Sequence, residues 1–258
     1  MGESKENQPK LKPYLSPAGA WAFSIGTSIG WGSFVITGNT YLVKAGPLGS
    51  VFGLLIGAAV MMIIAYNYHF MTIRCPEAGG AYSFCKTAFG FDYGFLTAWF
   101  LGLTYISVFW ANITSLPLFS RYFFGDRLQI GFRYTVFGYQ ISLSEILLCI
   151  IAILLTGFIC SHSRKIVSII MILLAVDFTV TIIVCFVVSF VKAGGASTIN
   201  PGYVPERSEV AQIIRIACIS LWAFIGFENI SNSAEEFKFK TNKLFKILIV
   251  SIVFTTLL

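Results

Sequence analysis

Two hydrophobic segments of this chain carry glycines, and one carries a carboxylate, at depths where a membrane helix would need neither. The first holds Gly26, Thr27, Ser28, Ile29, Gly30, Trp31 and Gly32. The second, roughly 200 residues later, holds Trp222, Phe224, Ile225, Gly226 and Glu228. Glycine inside a helix costs about 1 kcal/mol relative to alanine. A break also frees amide and carbonyl groups that lipid cannot satisfy, so they must face protein or a watery cavity. The amide end of an unwound helix attracts carboxylate and the carbonyl end attracts ammonium. A site offering both suits a zwitterion, which is what an amino acid is. A matched pair of broken spans is the sequence pointer to the substrate site of a secondary transporter.

Each residue also has a plainer explanation. Gly26 and Gly30 form a small-xxx-small pair, the pattern that brings two membrane helices close. Trp31, Trp222 and Phe224 are candidates to close over a substrate, and equally candidates for ordinary filling between helices. Glu228 is the sharpest single residue, because a carboxylate at mid-membrane depth is expensive and marks function by default. It serves either as a proton carrier or as a structural acceptor for amides freed by the break. Asp177, between Val176 and Phe178, lies near the centre of another apolar run. It pairs, carries a proton, or lines a water path. His69 and His162 sit at span ends or in a loop and read as solvated or interfacial groups.

The elements that must position these residues are membrane helices. Of 258 residues, 56% are hydrophobic and 12% charged, with a mean hydropathy of +0.79. A soluble domain carries about 25% charged residues, so the chain is an integral membrane protein. Its basic excess does not point to nucleic acid, since the 18 Lys and Arg form no stripe with interleaved aromatics. None of the six cysteines forms a CxxC pair or has a histidine at zinc-ligand spacing, so no metal or other cofactor is expected. HExxH is lacking and no nucleophile lies at useful spacing from a base, so the chain does not read as an enzyme.

Apolar runs predict seven spans, at residues 17–43, 48–73, 91–117, 141–160, 166–191, 211–237 and 244–258. The first and sixth contain the breaks. Residues 82–90 read as a short interfacial helix before the third span. Placing the N-terminus inside puts eleven of the 18 basic residues on the cytoplasmic side, which favours that orientation. Residues 1–14 are then a cytoplasmic segment and 15–258 the membrane domain. The last run has 15 residues where a crossing takes about 20, so the chain is expected to be a piece of a longer protein, incomplete at its C-terminus.

Four blocks carry a resemblance: residues 26–34 in the first span, Ala45-Gly46-Pro47 before the second, residues 76–82 after it, and residues 222–236 in the sixth. At these positions the chain resembles amino acid permeases of the amino acid–polyamine–organocation superfamily. The resemblance implies an all-α, leucine-transporter-like inverted-repeat fold, here its first five-helix repeat, the broken sixth helix and part of the seventh. It implies transport of amino acids by alternating access, coupled to protons or by exchange, in the plasma membrane. It maps the substrate carboxylate onto backbone of Gly30, Trp31 and Gly32, and the amine onto carbonyls of Ser28 and of Phe224 or Ile225. The aromatic gate matches Trp222 or Phe224, and the coupling glutamate matches Glu228. Where some proton-coupled relatives place a lysine, this chain has Asp177. The partners implied are an amino acid, protons and the lipid bilayer. The other reading is a membrane sensor, or a fragment, that binds an amino acid without transporting it.

Overall fold

The computed structural model describes residues 12–30, 36–136, 138–192, 201–205 and 207–258. In chain order its helices are α1 (Pro17–Ser28), α2 (Val43–Arg74), α3 (Ala81–Phe89), α4 (Phe91–Ile113), α5 (Ser115–Phe124), α6 (Leu143–His162), α7 (Arg164–Lys192), α8 (Glu209–Ser220) and α9 (Leu244–Leu257). A π-wound turn, Thr37–Leu42, leads straight into α2. Two 3-10 segments, Leu221–Phe224 and Phe227–Glu236, follow α8. Among the described residues, the strands β1 (Arg133–Val136) and β2 (Tyr139–Ser142) pair as an antiparallel hairpin.

Among the described residues, five helical stretches are long and apolar enough to cross a membrane: Thr37–Arg74, Phe91–Phe124, Leu143–His162, Lys165–Lys192 and Glu209–Glu236. The difference from seven has a local cause. The first span ends as a helix at Ser28, so α1 has only 12 residues. The last, α9, has 14. Both fall short of the about 20 residues of a perpendicular crossing. The short helix after span two forms as expected, in α3.

The described residues fall into two compact units. The first draws on Met1–Thr97 and Ser168–Leu258, the second on Ala98–Val167. In the first unit, α2 and α8 pack along a seam of small residues. Gly49, Gly53 and Gly57 recur every four residues on one face of α2. A Cβ built on Gly53 would lie 2.5 Å from Cβ of Ile216, and one on Gly57 would overlap Ser220 Oγ. Small residues let membrane helices approach closely enough for van der Waals contact to hold them. The chain enters α2 through a kink at Gly46, where φ is 66°. A side chain there would meet the Gly202 carbonyl, which accepts from Leu48 N–H at 2.9 Å.

Below this seam the core joins α1, α9 and the chain after α8. Ala58, Met61 and Ala65 of α2 meet Phe224, Phe227 and Ile230, and Leu244, Leu248 and Ile252 complete the cluster. α1 begins at an N-cap, Ser16, whose hydroxyl accepts from Gly19 N–H at 3.1 Å, with Pro17 at the first helical position. A backbone strap ties the residues before α1 to those after the second 3-10 segment. Tyr14 and Leu15 donate to the Glu236 carbonyl at 3.0 and 2.9 Å, and Lys238 N–H donates back to Leu15 at 2.9 Å.

In the second unit, α5, the hairpin and the start of α6 are joined by one ion pair. Arg121 Nη2 donates to Glu145 Oε2 at 2.8 Å, and its Nε reaches Oε1 of the same carboxylate. Ser142 N–H donates to Glu145 Oε2 at 2.9 Å, closing the N-terminus of α6 in capping-box fashion.

Candidate functional site

The second break is fully described. Ile225 is extended, with ψ at 131°, and Gly226 is left-handed, with φ at 103° and ψ at −14°. Only glycine takes the left-handed region without strain. Space demands it as well, because a Cβ on Gly226 would lie 2.5 Å from the Thr27 carbonyl oxygen. The two breaks therefore touch, backbone against backbone.

Side chains complete that contact. The Thr27 hydroxyl sits 2.7 Å from the Gly226 carbonyl, 2.9 Å from that of Phe23 and 3.1 Å from that of Ser24. It has one proton to donate, and the shortest approach is to Gly226. Glu228 accepts from Gly226 N–H through Oε2 at 3.0 Å. Asn229 N–H turns back to the Gly226 carbonyl at 3.1 Å. The peptide groups on both sides of Gly226 are thus held, one by Glu228 and the other by Thr27 and Asn229. In a trans peptide the carbonyl points opposite to the N–H. Holding Gly226 N–H on Glu228 consequently aims the Ile225 carbonyl away from that carboxylate.

The first break is described up to Gly30. Ile29 closes α1 with ψ at 108° and donates to the Ile25 carbonyl at 2.7 Å. Ser28 is buried and its hydroxyl turns back to the Ser24 carbonyl at 2.8 Å. Trp31 and Gly32 lie outside the described residues. A Cβ on Gly26 would meet nothing within 4 Å, so close helix packing does not explain that glycine. The close-packing seam lies on α2 instead.

The aromatic candidates separate. Phe224 is 1% exposed and belongs to the core, whereas Trp222 is 59% exposed. Ile225, three residues beyond Trp222, is also exposed, at 38%. Asp177 is exposed on α7, while Ala175 of the same helix packs with Ala22, Ile25 and Ile29 of α1. The structure does not bring Asp177 to the breaks.

Two contributors escaped the sequence reading. Tyr41, fully buried in the π-wound turn, donates through its hydroxyl to the Ile219 carbonyl at 3.2 Å. It ties the chain beyond the first break to the helix before the second. Single π-turns favour functional sites, but nothing in the local sequence marks one. The other is Glu235, which accepts from Ala78 N–H at 3.1 Å and draws the loop after α2 onto the end of the second 3-10 segment. Its sequence neighbours, Glu236 and Lys238, give no sign of that contact.

This is a multi-pass helical membrane protein in which two interrupted helices meet at their breaks. Residues 15–258 match the amino acid permease family, and the chain belongs to it, within the amino acid–polyamine–organocation superfamily. It is 27% identical over 244 residues to cationic amino acid transporter 4, vacuolar, of Arabidopsis thaliana, covering 89% of this chain and 38% of that protein. The methylthioribose transporter of Bacillus subtilis (strain 168) is 26% identical, covering 91% of this chain and 50% of its own length. A branched-chain amino acid permease of the same bacterium is 26% identical, covering 97% and 54%. The chain thus spans about half, or less, of the length of these curated relatives. The relatives are named as transporters and permeases, not as enzymes.

Proposed function

We propose that this chain carries the substrate-binding breaks of a secondary amino acid transporter that works by alternating access. The observation that carries this reading is the meeting of the two breaks at Thr27 and Gly226, with Glu228 on the freed amide. Backbone at Gly30, with Trp31 and Gly32, receives the substrate carboxylate. The amine meets carbonyls at Ser28 and Ile225, beside Ile29. The orientation of the Ile225 carbonyl, set through the Gly226 amide, supports its place in this set.

Trp222, not Phe224, is our choice for the aromatic gate. An exposed ring can swing over a ligand, whereas Phe224 would have to leave a packed core. The exposed groups beside the second break, Trp222 and Ile225, are apolar, which favours a neutral amino acid over a charged one. The relatives' names include both cationic and branched-chain amino acids.

Glu228 couples transport to protons in this reading. A carboxylate makes a stronger, charge-assisted bond to Gly226 N–H than a neutral carboxyl does. Protonation therefore loosens the 225–226 peptide, and deprotonation tightens it. Asp177, exposed on α7, has a secondary part at most, as a proton or water contact. The protein is placed in the plasma membrane with its N-terminus inside.

The test is uptake of labelled L-leucine and L-arginine by cells producing the protein, at acidic and neutral pH. Saturable, pH-dependent L-leucine uptake supports the reading, and Glu228→Gln should remove the pH dependence. Uptake of neither amino acid above the level of cells lacking the gene would refute transport. Preference for L-arginine would refute the neutral-substrate assignment alone.

A further inference from the structure

We infer that Thr27 is a positioning residue rather than a substrate contact: its hydroxyl is the clasp that joins the two broken helices. The inference rests on the proposed binding site but is carried by separate geometry. Thr27 lies in the last turn of α1, immediately before the first break. Its hydroxyl reaches across to the Gly226 carbonyl at 2.7 Å and joins the two breaks directly.

The clasp acts on a residue that cannot hold itself in place. Gly226 has the largest backbone freedom of any residue type, and no side chain of its own can pack. Its conformation is imposed from outside. Glu228 holds its amide at 3.0 Å and Thr27 its carbonyl at 2.7 Å. With both held, the Ile225 carbonyl and the Gly226 peptide keep one direction. Without Thr27, the carbonyl side of Gly226 keeps, among the described residues, the local turn from Asn229. The bare Cα of Gly226 lets the Thr27 backbone come close enough for the clasp to form, so the two residues fit as a pair.

A hydroxyl spent on Gly226 is not available to donate to a ligand. Thr27 therefore works on the substrate through the shape of the second break. Serine keeps the clasp, whereas valine keeps the shape of the side chain and removes the donor.

The test compares Thr27→Ser and Thr27→Val by two readouts, one on the purified protein in nanodiscs and the other on cells producing it. The first needs no ligand: hydrogen exchange in a peptide covering residues 221–230. Faster exchange there by about ten-fold in Thr27→Val, the loss of about one hydrogen bond, with Thr27→Ser like wild type and α2 unchanged, supports the clasp. Unchanged exchange in Thr27→Val overturns it. Should Thr27→Val fail to fold, Thr27→Ala removes the same hydroxyl without placing a second methyl against Gly226, and the same outcomes apply. The second readout is the apparent KM for L-leucine uptake. A rise with Thr27→Val and rescue by Thr27→Ser support a positioning role. Equal loss in both variants, with unchanged exchange, would make Thr27 a direct contact and overturn the inference. If wild type takes up no amino acid while exchange responds as expected, the transport reading fails and the clasp stands.

Discussion

Glu228 shows how one residue can hold a structural and a functional part together. Its carboxylate satisfies an amide that the break sets free, and an unsatisfied amide at membrane depth would cost several kcal/mol. The proposed coupling uses that same bond, so Glu228→Gln should keep the fold while separating uptake from pH. Arg121 and Glu145 differ, because their pair is structural throughout. Glu145 is 2% exposed and Arg121 29%. Breaking a buried pair costs about 3–5 kcal/mol by stranding one charge. Arg121→Met should fall near the lower end of that range because the guanidinium is partly solvated. Thermal unfolding in detergent checks this, and adding Glu145→Gln, which removes the stranded charge and keeps an acceptor for Ser142 N–H, should recover part of the loss. Ser24 offers the opposite sign. Its hydroxyl is buried with no partner among the described residues. An unsatisfied buried polar group costs about 1–3 kcal/mol, so Ser24→Ala should raise the unfolding midpoint.

At the scale of elements, the molecule alternates close seams with interruptions. The α2–α8 seam exists because Gly53 and Gly57 expose bare backbone to Ile216 and Ser220, while Gly49 on the same face meets Tyr203. Gly53→Val would drive a branched side chain into Ile216, and overpacking of this kind costs about 1–3 kcal/mol. A lowered midpoint, with larger loss than for Gly26→Ala, would confirm that close packing lies on α2 and not on α1. The strap before α1 is made of backbone hydrogen bonds beside the buried side chains of Leu15 and Phe237. Leu15→Pro removes the donor that meets the Glu236 carbonyl, and should speed hydrogen exchange at residues 237–239 without unfolding α2. Unchanged exchange there would mean that side-chain packing of Leu15, not the backbone bond, holds the strap.

For the whole molecule, the family sets the architecture, and the basic residues set the expected orientation. With the N-terminus inside, Lys240 faces the cytoplasm and Pro205 the exterior. Both are exposed. On a background with the native cysteines replaced, a membrane-impermeant thiol reagent added to intact cells should label Pro205→Cys and spare Lys240→Cys. The reverse pattern would overturn the orientation. The family match runs almost the full chain while covering about half or less of its relatives. Activity of the kind those relatives' names describe is thus a matter for the uptake experiment.

By itself the sequence determined the membrane class, the family and the location of both breaks. The class and the breaks depend on composition, apolar run length and glycine placement, and the family on a resemblance carried by four short blocks, all local properties of the chain. The long spans were legible for the same reason, since a crossing needs about 20 apolar residues in a row. Tertiary structure decided what each break residue touches. Thr27 and Gly226 lie far apart in sequence, and only folding shows that one hydroxyl joins them. Trp222 and Phe224 are neighbours of like chemistry, and only packing sends one to the surface and the other to the core. The glycines of α2 could have been read as a seam from their spacing of four. Which helix fills it depends on contacts between distant segments, and no local pattern encodes them.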